Sequence, residues 1–198
     1  MLSKFLRRSH MYLALFLSPW VLMYTLSTIA MNHREHLRGD AEDGPPRFEK
    51  QSARPYDAVF PERATPREKA LQILRDLDME GAHTVARPAA DGALTINRMD
   101  PVEPKRIVYR PSEGALSVEK LPFSGPAFLE RMHRRRGYNH SYAADIGWAV
   151  SVDLFIVAMI FWVFSGLWMW WEMKVTRFTG ALFAAGGAAL FAFFLVTL

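Results

Sequence analysis

Six histidines and one carboxylate set among apolar residues are the parts of this sequence best suited to chemistry. The histidines are His10, His33, His36, His83, His133 and His140, and the carboxylate is Asp153. Two neutral imidazoles facing each other across a pocket can hold the iron of a b-type haem. Three can in principle hold zinc or copper, although the spacing of His33, His36 and His140 forces no such geometry. The alternative for histidines beside arginines is an interfacial position with the polar ring edge in water. An ionisable group within an apolar helix is costly, so Asp153 must face protein or water, as a helix-pairing contact, a proton relay or a ligand-binding carboxylate. Cysteine is absent, which removes disulfides, zinc–thiolate sites, iron–sulfur clusters and covalent c-type haem. No GxSxG, HExxH, P-loop or dinucleotide fingerprint occurs.

The elements that carry these residues follow from where charge is missing. Of 198 residues, 51% are hydrophobic and 22% charged, and the two classes are segregated. Met11 to Met31, "MYLALFLSPWVLMYTLSTIAM", holds no charge, and about 20 such residues cross a bilayer as a helix. Pro19 removes one backbone donor there and predicts a kink. Thr28-Ile-Ala30 resembles a signal-peptide cleavage site, but the run is long for one and Asn32-His33 follows the cut, so it is read as an uncleaved anchor. A second span runs from Ile146 to Trp171 with Asp153 as its one charge, ending in Trp168, Trp170 and Trp171 as an interfacial aromatic belt. A third runs from Phe178 to Leu198, and its Gly180, Ala184 and Ala188 form a small-residue face suited to close packing on the other helices or on a partner. The formal charge is +4. The excess sits at Lys4, Arg7, Arg8, Lys174 and Arg177, because residues 32–145 balance 19 basic against 18 acidic side chains. That is a topology signal rather than a nucleic-acid footprint. It puts the N-terminus and the "EMKVTR" connection in the cytoplasm, and the middle region and C-terminus outside. Arg134-Arg135-Arg136 is the one feature that disagrees.

Residues 1–10 are thus a cytoplasmic basic N-terminus, 11–33 the first membrane helix, 146–171 the second, 172–177 a cytoplasmic loop and 178–198 the third. Between them, residues 34–64 are rich in Pro and charge without periodicity and read as a linker or extended arm. Residues 65–120 read as one helix on a small antiparallel sheet. Thr65, Pro66 and Glu68 form a helix start with a capping box, and Ala70, Ile73, Leu74 and Leu77 form its apolar stripe. "AHTVAR", "GALTINR", "KRIVYR" and "ALSVEK" follow as strand-like pieces, with "ADG" and "PSEG" as turns. Residues 121–145 return to the membrane as an amphipathic segment. Depth then sorts the polar residues. His33, His133 and His140 share the outer side, and His10 stands alone on the inner side. At ~1.5 Å per residue, Asp153 is level with Thr25, Ser27 and Thr28 of the first helix, and a hydrogen bond to one of those hydroxyls would fix the pairing of the two helices.

Several of these stretches resemble the PepSY-associated transmembrane family of bacterial inner-membrane proteins. "RRSHMYLAL" resembles that family's basic-His-x-aromatic-Leu opening, and "STIAMNH" its Thr-Gly-x-Leu-Leu-Asn-His helix ending. The middle helix with "RIVYRPSEGALSVEK" resembles a PepSY domain, whose strands carry a Tyr-x-Pro-x-x-Gly turn. His140, Asp153 and Ser165-Gly166 of "SGLWMWW" match the family's second-helix pattern. The departures are Ser27-Thr28 for Thr-Gly, no Gly close after His140, and three passes where many members have four. The resemblance covers most of the chain. It implies a domain type associated with binding and inhibiting peptidases, and larger relatives that look like haem-bearing reductases of iron–siderophore complexes. A haem in this chain would take His33 and His140 as axial ligands, with His133, His36 or His10 as substitutes.

The expected fold is an α-helical membrane protein with three transmembrane helices and a small α+β periplasmic PepSY-like insert, in the bacterial inner membrane. The expected function is a non-catalytic accessory or binding module, working through the periplasmic domain or within a larger membrane complex. Its partners would be the lipid bilayer and another membrane or periplasmic protein, a homodimer being one option, with no nucleic acid and no dedicated metal. The alternatives are a single b-type haem electron-transfer component of iron or siderophore reduction, which would make the chain part of an oxidoreductase, and a regulator of a periplasmic peptidase. One haem alone does not carry electrons across about 30 Å of hydrocarbon, so a self-sufficient transmembrane reductase is disfavoured.

Overall fold

The computed structural model describes residues 2–38, 47–87, 89–140 and 142–198. Among them, three helices are long and apolar enough to cross a membrane. These are α1 (Leu2–Asn32), α5 (Ala143–Glu172) and α6 (Arg177–Thr197). The first runs unbroken through the basic N-terminal residues and past Pro19. A short α2 (Arg34–Arg38) follows it. The arm read from residues 34–64 falls partly on residues 39–46, which lie outside the described residues. The chain divides into two compact units, Met1–Val21 with Val152–Leu198, and Leu22–Ser151.

In the second unit the insert is a five-stranded antiparallel sheet with a helix on one face. Its strands are β1 (Glu49–Pro55), β2 (His83–Val85), β3 (Leu94–Arg98), β4 (Lys105–Arg110) and β5 (Ala115–Lys120), in the order β1-β5-β4-β3-β2. The helix is α3 (Pro66–Asp76). It starts where the sequence says it must. The Thr65 hydroxyl accepts from the Glu68 N–H while the Glu68 carboxylate accepts from the Thr65 N–H, and Pro66 fills a first-turn position that needs no donor. Alternation along the strands turns Leu94, Ile96, Ile107, Tyr109, Leu116 and Val118 to one side, where Ala70, Ile73 and Leu74 of α3 meet them. Register reinforces the match, since Ile107 lies opposite both Ile96 and Val118, and Tyr109 opposite Leu116. Burying each large aliphatic side chain contributes roughly 1.5–3 kcal/mol, so these residues form a core without help from the membrane helices.

The arm supplies the fifth strand. β1 pairs with β5 from Glu49 opposite Lys120 to Pro55 opposite Ala115. All seven of its residues are exposed, so no hydrophobic alternation marks it in the sequence. After it, Tyr56 and Phe60 pack edge-on against Tyr109, and the Tyr56 hydroxyl donates to Asp76 at 2.6 Å. Burial and the neighbouring Asp76 carboxylate together push the Tyr56 phenol above its ordinary range. Just beyond the same C-terminal end of α3, the Arg98 guanidinium donates to the carbonyls of Met79, Glu80 and Ala82. Gly81, at φ +143°, is the residue whose missing Cβ leaves room for that guanidinium.

The return helix α4 (Gly125–Arg134) carries charged residues that fasten it. The half-buried Glu130 carboxylate receives Arg34 at 2.6 Å and Arg134 at 2.8 Å. Arg131 donates to the Pro101 carbonyl, and Arg135 donates to Met99 and is ion-paired with Asp145. The Trp148 indole N–H donates to the Arg135 carbonyl, which secures the first turns of α5. In the first unit Leu17 and Ala158 are buried and the rings of Trp20 and Phe155 stack. The helix α6 has no buried residue. Its apolar side chains, Phe183, Phe191, Leu195 and Val196 among them, are exposed, as suits a helix long and apolar enough to cross a membrane.

Candidate functional site

Each unit contains a serine–histidine pair of the same design. In the first, His10 Nδ1 lies 2.8 Å from Ser165 Oγ, and the Ser165 hydroxyl donates to the Trp162 carbonyl three residues back on its own helix. A hydroxyl has one proton. The Ser165 hydroxyl therefore sits between the Trp162 carbonyl and His10 Nδ1, and the tautomer of the ring decides which partner donates in the second contact. The imidazole stacks on Trp162 at 5.0 Å, and Gly166 leaves the space its Cε1 fills. In the second unit Ser27 is fully buried. Its hydroxyl lies 2.8 Å from the Tyr24 carbonyl and 2.6 Å from His133 Nδ1, while Tyr24 meets that ring edge-on. A second hydrogen bond that fixes the tautomer is how a ligating or proton-handling imidazole is oriented.

The other sequence-derived residues are placed as follows. His33 lines an open groove of about 380 Å³ with Tyr24, Thr25, Thr28, Ile29 and Asn32, and its ring lies 6.5 Å from that of His36. The Thr28 hydroxyl donates to the Tyr24 carbonyl. Asp153 is exposed on α5, as Thr25 and Thr28 are on α1. His140 lies in a different groove, with its ring 6.3 Å from His83. His33 and His140 therefore each have another imidazole as ring neighbour and do not line a common groove. Among the described residues no group of three or more His, Asp or Glu gathers as a metal site.

The His140 groove is the larger, about 600 Å³, and three chain segments build it. The start of α3 contributes Thr65, Pro66 and Arg67, the β2 strand and its continuation contribute His83 to Arg87, and Asn139 and His140 close it. His83 Nδ1 lies 2.8 Å from the Gly81 carbonyl, which can only accept, so Nδ1 carries the proton. Burial holds the His140 imidazolium below the ordinary histidine range. Asp145 opposes that effect, and His83, Arg135 and Arg67 add to it.

Neither serine–histidine pair was legible in the sequence. Ser165-Gly166 reads there as helix packing and Ser27 as a partner for Asp153. The usable signal was residue type alone, because the rotation of one helix about its axis decides which side chain a serine meets.

A family model described as PepSY_TM-like matches residues 1–198. No curated protein and no solved structure matches the chain.

Proposed function

The chain belongs to the PepSY_TM-like family, and on that premise we propose that it is a non-catalytic accessory or binding module of the bacterial inner membrane, with the N-terminus cytoplasmic and the insert periplasmic. The observation that carries this reading is the insert's own core. Nine buried residues from α3 and three strands close on one another, so the membrane helices have a folded body to present. The basic residues support the orientation. Arg134 and Arg135, the part of the sequence that argued for a cytoplasmic insert, are ion-paired with Glu130 and Asp145, and Arg7 with Glu172, so the orientation rests on the basic residues that flank the spans on the other side, Lys4, Arg7, Arg8, Lys174 and Arg177. In this reading the apolar face of α6 meets lipid or a helix of a larger complex, and Asp153 helps to fix how the first two helices pair.

A second reading is a single b-type haem electron-transfer component. What favours it is that His133 and His10 each hold Nδ1 within hydrogen-bond distance of a serine hydroxyl, the kind of second contact that orients a ligating imidazole. Bound haem would supply one-electron chemistry. His33 and His140 line separate grooves, each with another imidazole as ring neighbour, so they do not fit as a facing pair in this arrangement. One preparation separates the readings. The full-length protein is crosslinked in its native membrane, purified from haem-replete cells, and examined by native electrophoresis and by absorption. The binding-module reading predicts a discrete assembly larger than the chain, with no Soret band. A chain that runs alone overturns it, and a Soret band lost in His133→Ala or His33→Ala establishes the second reading.

A further inference from the structure

Among the described residues, the groove beside β2 carries features that the fold leaves unused. β2 is the last strand of the sheet on its side. The Ala86 N–H donates to Thr95 and the Ala82 carbonyl accepts from Met99, with Thr84 opposite Asn97. Alternation in an antiparallel ladder then turns the backbone groups of Ala82, Thr84 and Ala86 toward β3, and those of His83 and Val85 outward. The side chains of His83, Val85 and Arg87 share one face by the two-residue period. That face borders the groove on which Arg67 and His140 also lie. An outward row of N–H and C=O groups at a sheet edge is a template for one more strand.

Charge decides what kind of strand. Among the described residues neither Arg67 nor Arg87 has an ion-pair partner, and both are exposed on the groove. Two carboxylates beside the groove residues are already answered, since Asp145, which acts on His140, is ion-paired with Arg135, and Glu68, next to Arg67 in the chain, is held in the capping box. The same box satisfies the start of α3, so the guanidiniums rather than the helix end are the anion donors. Their charge also disfavours a free dication between His83 and His140.

We propose that this groove takes an extended peptide segment carrying a carboxylate, which adds to the sheet alongside β2 and sets its carboxylate against Arg67 and Arg87. The proposal rests on the binding-module reading and gives the chemistry of the partner. The backbone of the added segment pairs with the outward groups of His83 and Val85. Its alternate side chains face Thr65, Pro66 and His140. Arg67 and Arg87 supply charge-assisted hydrogen bonds at the carboxylate.

The test uses the full-length protein in lipid nanodiscs and fluorescence anisotropy of labelled random hexapeptide pools. One pool has free C-terminal carboxylates and no Asp or Glu, and a second is the same pool amidated. A third is amidated with one Glu, and a fourth has a free carboxylate and N-methyl groups on alternate amides. Saturable binding of the first pool is expected to weaken roughly tenfold or more on amidation, on N-methylation, and in an Arg67→Gln/Arg87→Gln variant. Those two arginines are exposed, so the variant keeps the fold. Recovery with the Glu pool shows that a side-chain carboxylate serves as well as the chain terminus, and no recovery names the terminus. Absence of saturable binding in the first and third pools, or binding indifferent to N-methylation and to the arginines, overturns the proposal. If the crosslinked assembly persists in that case, the binding-module reading stands. If the chain also runs alone, both fall.

Discussion

At the scale of single residues, His140 offers the sharpest measurable property. Its folded form favours the neutral ring because burial penalises the cation, with His83, Arg135 and Arg67 pushing the same way against Asp145. The folded state therefore binds fewer protons here than the unfolded state does. The stability this residue contributes is complete above the unfolded histidine value of about 6.5 and is lost as pH falls through the lowered folded value. We expect thermal stability to fall more steeply between about pH 7 and pH 5 in the natural protein than in His140→Asn, with circular dichroism as the readout. Parallel curves for the two proteins would contradict this. The sequence showed His140 as a polar residue beside a membrane span. It could not show that the neighbouring ring is His83 rather than His33, because that depends on how the return segment crosses the end of the sheet.

At the scale of elements, the turn between β4 and β5 depends on one backbone angle. Gly114 closes the Pro111–Glu113 turn at φ +56°, its carbonyl accepts from the Tyr56 N–H at 2.7 Å, and Asp57 lies where a Cβ would approach it. An L-residue pays about 1–2 kcal/mol for a left-handed conformation. Gly114→Ala is predicted to lower the unfolding free energy of the full-length protein by about that much in a denaturant titration of the insert's tyrosine signal. A change below a few tenths of a kcal/mol would show that the turn relaxes freely. This turn was legible in "RIVYRPSEGALSVEK", because strand residues and turn residues differ chemically there. β4 and β5 coincide with "KRIVYR" and "ALSVEK". The strand β1 was not legible, since an exposed strand carries no apolar alternation and its partner β5 lies far along the chain.

At the scale of the whole molecule, three membrane-length helices and one folded insert make orientation the property with most bearing on function. A phosphatase reporter that works only outside the cytoplasm should be active when fused after Lys120. A fluorescent protein that folds only inside should glow when fused after Lys174. The reverse pattern would place the insert in the cytoplasm and remove every periplasmic partner from consideration. The path of the chain also has a mechanical consequence. β1 is where the described chain enters the sheet and β5 is where it leaves, and the outer ends of these two strands, Glu49 and Lys120, lie opposite each other. Tension applied through the flanking segments acts at one end of this single ladder, so it peels β1 from β5 one rung at a time instead of shearing all the rungs together. The remaining strands and α3 keep their core while that happens, which makes the arm a yielding tether and the rest of the insert the part that stays folded under load.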